Sequence, residues 1–121
     1  LARRRLMAVH ERLAGGRWME LTLMEQLANV GSEVDRAIRA AASGRVERRD
    51  RAIDRALELF DLTAADDRWR GPARREVIRA REEFCNLLLG SDAGTATDSA
   101  ASLSRYFLHF AVAARRAAQR A

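Results

Sequence analysis

The stretch LMEQLANVGSEVDRAIRAA, residues 23–41, decides the fold. Its apolar residues Leu23, Leu27, Val30, Val34, Ile38 and Ala41 recur at spacings of three and four. That is the period of one helix face, not the two-residue alternation of a strand. Met24, Ala28 and Gly31 lie beside the stripe and widen it to the breadth a bundle-core helix needs. The spacing predicts a helix from about Arg17 to Ala42, stopped by Gly44. Gly31 stands in its middle, at a cost of about 1 kcal/mol relative to alanine, which predicts the close approach of a neighbouring backbone or a partner.

Outward from this segment the same period repeats. Val46, Ile53, Leu57 and Phe60, flanked by Ala52, Ala56 and Leu59, predict a second helix ending near Thr63–Asp67. Gly71-Pro72 opens a third, since proline suits the first helical turn, and Val77, Phe84, Leu87 and Leu88 carry it to Gly90. The small, polar run GSDAGTATD (90–98) reads as a loop, with Thr97 or Asp98 capping a last helix striped by Leu103, Phe107, Phe110 and Ala114. Residues 2–14 predict a short extra helix with Leu6, Val9 and Leu13 inward, closed by Gly15-Gly16. No β-alternating run and no repeat of fixed period interrupts this pattern.

The expectation is therefore an all-α, antiparallel up-down four-helix bundle, because short connections between long amphipathic helices favour antiparallel neighbours. At 121 residues it forms one domain, with a basic segment at 1–16 and main helices at 17–43, 45–65, 72–89 and 98–120. A chain of this length buries roughly two-thirds of its unfolded surface, which suffices for a core without staples. Ala111, Ala113, Ala114, Ala117 and Ala118 make the last helix apolar on several sides but light in bulk, and predict a homo-oligomer.

Charge bounds the function. All 22 basic residues are arginine, in an alanine-rich chain, so arginine content alone reflects composition and not a nucleic-acid site. The net charge is +3 over residues 1–16, +4 over 99–121 and −2 over 17–98. Basic ends on a near-neutral middle predict an anionic contact at the ends. Arg3, Arg4, Arg5, Arg12, Arg115, Arg116 and Arg120 are the residues expected to neutralise RNA or DNA phosphates, or an acidic protein, without reading bases. Glu25, Asn29, Ser32 and Arg36 align opposite the core stripe of residues 23–41 and form a candidate partner surface. Trp18 and Trp69, near predicted helix ends, are candidates for base stacking or for packing at the edge of the core.

Catalytic inventory is thin. Neither His10 nor His109 follows a glutamate by three, as di-iron bundles require. Asp54, Glu58 and Asp61 form an acidic stripe with Arg51 and Arg55 beside them, which reads as a solvated ion-pair face. The glycines match no phosphate-binding loop. Cys85, the lone cysteine, offers neither a disulfide nor a multi-cysteine metal site and reads as a buried, inert thiol. No metal and no cofactor are expected. No apolar run is long enough to span a membrane, and the N-terminal run is too short for a signal peptide, so the expected setting is the cytoplasm.

Two resemblances add to this reading. Arg105-Tyr106-Phe107-Leu108-His109 resembles the HEPN superfamily of small helical bundles, whose ribonuclease members carry an arginine, four to six residues, then a histidine. The gap here is three; Arg5 and His10 are separated by four, at the start of the chain. The resemblance implies a metal-independent ribonuclease in which Arg105 holds a phosphate and His109 moves a proton. MEQLANVGSEVDRAI, ALELFDLT, RAREEFCNLL and RYFLHFAVAAR, across roughly residues 19–115, resemble an uncharacterised family of short prokaryotic helical-bundle proteins. That implies a bundle of intracellular prokaryotic origin. The function expected from all of this is a non-enzymatic, oligomeric accessory subunit that meets nucleic acid or an acidic protein through its basic ends. A protein-only assembly scaffold and the ribonuclease are the alternatives.

Overall fold

A computed structural model describes residues 16–90 and 96–120. Four long helices dominate: α1 (Leu23–Ala42), α2 (Val46–Ala65), α3 (Pro72–Leu89) and α4 (Ala96–Arg120). A one-turn helix, Trp18–Glu20, precedes α1, and a 3-10 turn, Asp67–Trp69, lies between α2 and α3. The described residues contain no strand, and the four long helices pack as an all-α four-helix bundle. The short helix expected over residues 2–14 lies outside the described residues.

The first main helix starts at Leu23, not at Arg17. Thr22 explains the difference: its Oγ1 accepts from the Glu25 N–H at 3.2 Å, and Glu25 Oε1 accepts from the Thr22 N–H at 2.9 Å. This capping box satisfies otherwise orphaned backbone donors and stops the helix from running back into Leu21, whose backbone is extended. Trp18 is folded under the start of α1 and buried.

At its other end α1 stops as expected. Gly44 takes φ 71°, a conformation that favours glycine, so that the Gly44 N–H reaches the Ala41 carbonyl and the Arg45 N–H reaches that of Ala40. The turn to α2 is therefore only residues 43–45 long. Gly71 (φ 89°) and Pro72 set the start of α3 in the expected way.

Cross-helix pairs fix the register. Gly31 of α1 faces Phe107 of α4, and Ser104 Oγ donates to Asp35 Oδ1 at 2.8 Å, so α1 and α4 run antiparallel. Arg81 Nε donates to Asp61 at 3.0 Å, tying α3 to α2, and the Tyr106 hydroxyl donates to Glu76 at 3.0 Å, tying α4 to α3. Three rings from three helices fill the centre: Phe60 stands 5.8 Å from Phe84 and 6.0 Å from Phe107, centroid to centroid, in tilted and edge-on geometries that aromatic pairs prefer. Val30, Val34 and Ala37 of α1 are fully buried against them.

Candidate functional site

The tight α1–α2 turn has a chemical consequence. It folds the last two turns of α1 against the first three of α2, and both carry arginines on the same side. Arg36, Arg39, Ala40 and Ser43 of α1 and Arg45, Arg48, Arg51, Ala52 and Arg55 of α2 line one open groove of about 460 Å³. Positions 45, 48, 52 and 55 are three or four residues apart and so share a helix face. Ala40 and Ala52 are buried and keep the floor low.

No carboxylate among the described residues lines this groove. Among the described residues, Arg36 alone of the six arginines is held in an ion pair, to Glu33 at 2.7 Å. Arg39, Arg45, Arg48 and Arg51 are exposed. The backbone adds to the positive field. Arg45 is the N-cap of α2 and places no side-chain acceptor on the first-turn N–H groups, and Arg48 follows within that turn. Cations at a helix N-terminus oppose the macrodipole by about 0.3–1 kcal/mol each, whereas an anion there is favoured. Glu47 is the acidic residue of that turn but does not line the groove, so the lining stays cationic and suits an anion with several negative charges.

The residues expected from sequence are distributed differently. Arg115, Arg116 and Arg120 are exposed on the last turns of α4. The antiparallel register puts that end of α4 beside the start of α1, at the opposite end of the bundle from the groove. Arg3, Arg4, Arg5 and Arg12 lie outside the described residues. Arg105 and His109 are both exposed, one turn apart on α4. His109 shares a shallow hollow of about 550 Å³ with Leu108, Val112, Arg116 and Arg120; Arg105 does not line it.

The polar face of α1 turns its chemistry inward on itself. Glu25 closes the capping box, Asn29 Nδ2 donates to the Glu25 carbonyl at 2.8 Å, and Ser32 Oγ donates to the Ala28 carbonyl at 3.2 Å. Only Arg36 of that group reaches the groove. Neither tryptophan offers a free stacking face: Trp18 is buried, and Trp69 is half-buried beneath the Arg68 guanidinium at 4.4 Å. Cys85 is half-buried rather than enclosed, with Arg81 Nη1 3.9 Å from its sulfur. Asp61, from the acidic stripe, pairs across helices with Arg81.

A buried polar node, not expected from sequence, locks the end away from the groove. Gln26 is fully buried; its Nε2 donates to the Trp18 carbonyl at 2.9 Å and to Asp66 Oδ2 at 3.1 Å, while its Oε1 accepts from Trp69 Nε1 at 2.8 Å. Arg68 clamps the Asp66 carboxylate through Nη2 at 2.7 Å and reaches the Leu21 carbonyl at 2.8 Å. These hydrogen bonds, led by those from Arg68 and opposed by burial, hold the Asp66 carboxyl down at about 2. A second network joins Tyr106, Glu76, Arg79 and Glu83. Burial and then the Glu76 carboxylate push the Tyr106 hydroxyl up to about 12. Both networks direct their hydrogen bonds to other residues of the bundle, which marks them as structural; Trp18 Nε1 is buried beside the first without a hydrogen-bond partner among the described residues.

Among the described residues, no group of three or more His, Cys, Asp or Glu side chains is placed to hold a metal ion. No described helix is long and apolar enough to cross a membrane. Comparison of the chain with protein-family models, with curated proteins and with solved structures gives no match.

Proposed function

We propose that this chain is a non-enzymatic binding module that holds the phosphate backbone of a nucleic acid in the α1–α2 groove. One observation carries the reading: six arginines from two helices line a single groove with no carboxylate among them. The arginines at the far end of α4 supply a second, weaker basic surface rather than the main one. Guanidinium groups neutralise phosphates and pair with their oxygens in a forked geometry, so affinity depends on charge and falls with salt. The test is fluorescence anisotropy of labelled nucleic acid with the full chain across a salt series. Arg39→Glu with Arg48→Glu, one from each wall, is expected to weaken binding at least about a hundredfold while leaving it measurable at low salt. Arg70→Glu with Arg75→Glu, an equal change of charge at exposed positions outside the groove, is expected to leave most of it. Absence of binding at about 50 mM salt, where electrostatic complexes are strong, would instead favour a scaffold that touches only protein.

Self-association belongs to the same proposal, on the light, alanine-rich face of α4, where residues 111–114 are only half-buried. Light scattering of the free chain tests it; a monomer at all concentrations rejects it. The ribonuclease reading retains one observation in its favour, the exposure of Arg105 and His109 one turn apart. Metal-independent RNA cleavage that His109→Ala removes without loss of helicity would establish it.

A further inference from the structure

We infer that the groove takes the backbone of a nucleic-acid duplex and not an unstacked single strand. This rests on the reading of the groove as a phosphate site and asks which form of the polymer it fits.

The aromatic residues argue first. Proteins that bind single strands use aromatic side chains as stacking platforms for the splayed bases, each stack adding substantially to affinity. This chain has seven aromatics, and none lines the groove. Trp18, Phe60, Phe84 and Phe107 are buried, and Trp69, Tyr106 and Phe110 are half-buried within networks or core packing. A single strand laid in the groove would find guanidinium groups for its phosphates and only alanine and serine otherwise.

Charge density argues next. Arg45 to Arg55 spans about 15 Å along α2 at 1.5 Å per residue. Over that length a duplex presents about nine phosphate charges on its two strands, and a single strand about four. Six arginines in two rows, one on each helix, exceed what the single strand offers and lie within what the duplex offers. The two walls can engage the two strands across a groove of the duplex. With the arginines engaged on phosphates rather than base edges, recognition is of backbone and shape, without sequence preference.

The experiment compares four labelled probes of equal length with the full chain: an RNA duplex, a DNA duplex, oligo(U) and oligo(dT). The expected result is duplex binding at least about tenfold tighter than single-strand binding, with a log–log salt slope of about −5 if all six arginines engage. Arg39→Glu with Arg48→Glu should flatten that slope by about two, since two contacts are lost; circular dichroism checks that the variant stays folded. Whichever duplex binds better identifies RNA or DNA as the source of the backbone. Single strands bound as tightly as duplexes, with groove variants still defective, would overturn the duplex inference and leave the phosphate reading standing. No binding of any probe would remove both. Duplex binding lost in Arg116→Glu with Arg120→Glu but kept in the groove variant would overturn the location.

Discussion

A Cβ placed on Gly31 would lie 2.6 Å from the Cβ of Phe107, closer than real side chains approach. The mid-helix glycine is thus the socket for the residue that completes the central ring cluster, and the partner whose approach it permits is the chain's own fourth helix.

Gly31→Ala sets two effects against each other. Alanine gains about 1 kcal/mol of helix propensity, but the overlap forces α1 and α4 apart across a close-packed core, which costs about 1–3 kcal/mol. The overlap wins because the clashing atom is a Cβ fixed to the backbone, not the end of a flexible chain. Urea unfolding is expected to show a net loss of up to about 2 kcal/mol; a gain in stability would show that the helices separate freely.

The helices were legible from spacing because burial of one face imposes it: Leu27, Val30 and Val34 are all buried where the period of three and four places them. Glycine and proline punctuation at Gly44 and Pro72 was equally plain. The start of α1 was not, because Met19 and Leu21 extend the apolar run and conceal the Thr22–Glu25 box behind it. Nothing in the local spacing singles out Gln26, because its burial depends on Asp66 and Trp69, some 40 residues away in sequence. The groove was hidden by adding charge along the chain. On α2 the acids Glu47, Asp50 and Asp54 cancel the arginines in the sum, yet they do not line the groove. Only the closed α1–α2 hairpin adds Arg36 and Arg39 to the arginines of α2.

The buried node predicts a specific acid sensitivity. Asp66 has its carboxyl pKa lowered from 3.8 to about 2 in the folded chain. Its contribution is therefore present in full above pH 4 and lost as pH falls toward 2, as the folded state surrenders its preference for the ionised form. The size is about 2 kcal/mol. Glu76, lowered mainly by its hydrogen bond from Arg79, acts in the same direction. Urea midpoints measured from pH 6 to pH 2 should fall more for the wild type than for Asp66→Asn, which is less stable at neutral pH and flatter below pH 4. Parallel curves would show that Asp66 titrates normally.

The two basic regions lie at opposite ends of the bundle, so they can be tested apart. Replacing Arg115, Arg116 and Arg120 by glutamine removes three charges and is expected to weaken nucleic-acid binding by less than tenfold, through the general field. Arg39, Arg48 and Arg51 replaced in the same way remove an equal charge and are expected to cost at least a hundredfold, since they take away direct phosphate contacts. Equal losses from both triple variants would show that net charge, not the groove, governs binding.

Arg48→Glu should separate stability from binding. Arg48 lies in the first turn of a helix whose N-cap donates no acceptor, so its charge opposes the macrodipole. Glutamate there reverses the sign at an exposed position that makes no ion pair among the described residues. The expected outcome is a folded chain more stable by about 0.5–1 kcal/mol, and a complex weakened at least tenfold. A residue chosen for the fold alone would not sit where its opposite charge is preferred; local rules are broken where function requires it. A variant both less stable and unaltered in binding would remove that argument and leave Arg48 an ordinary surface cation.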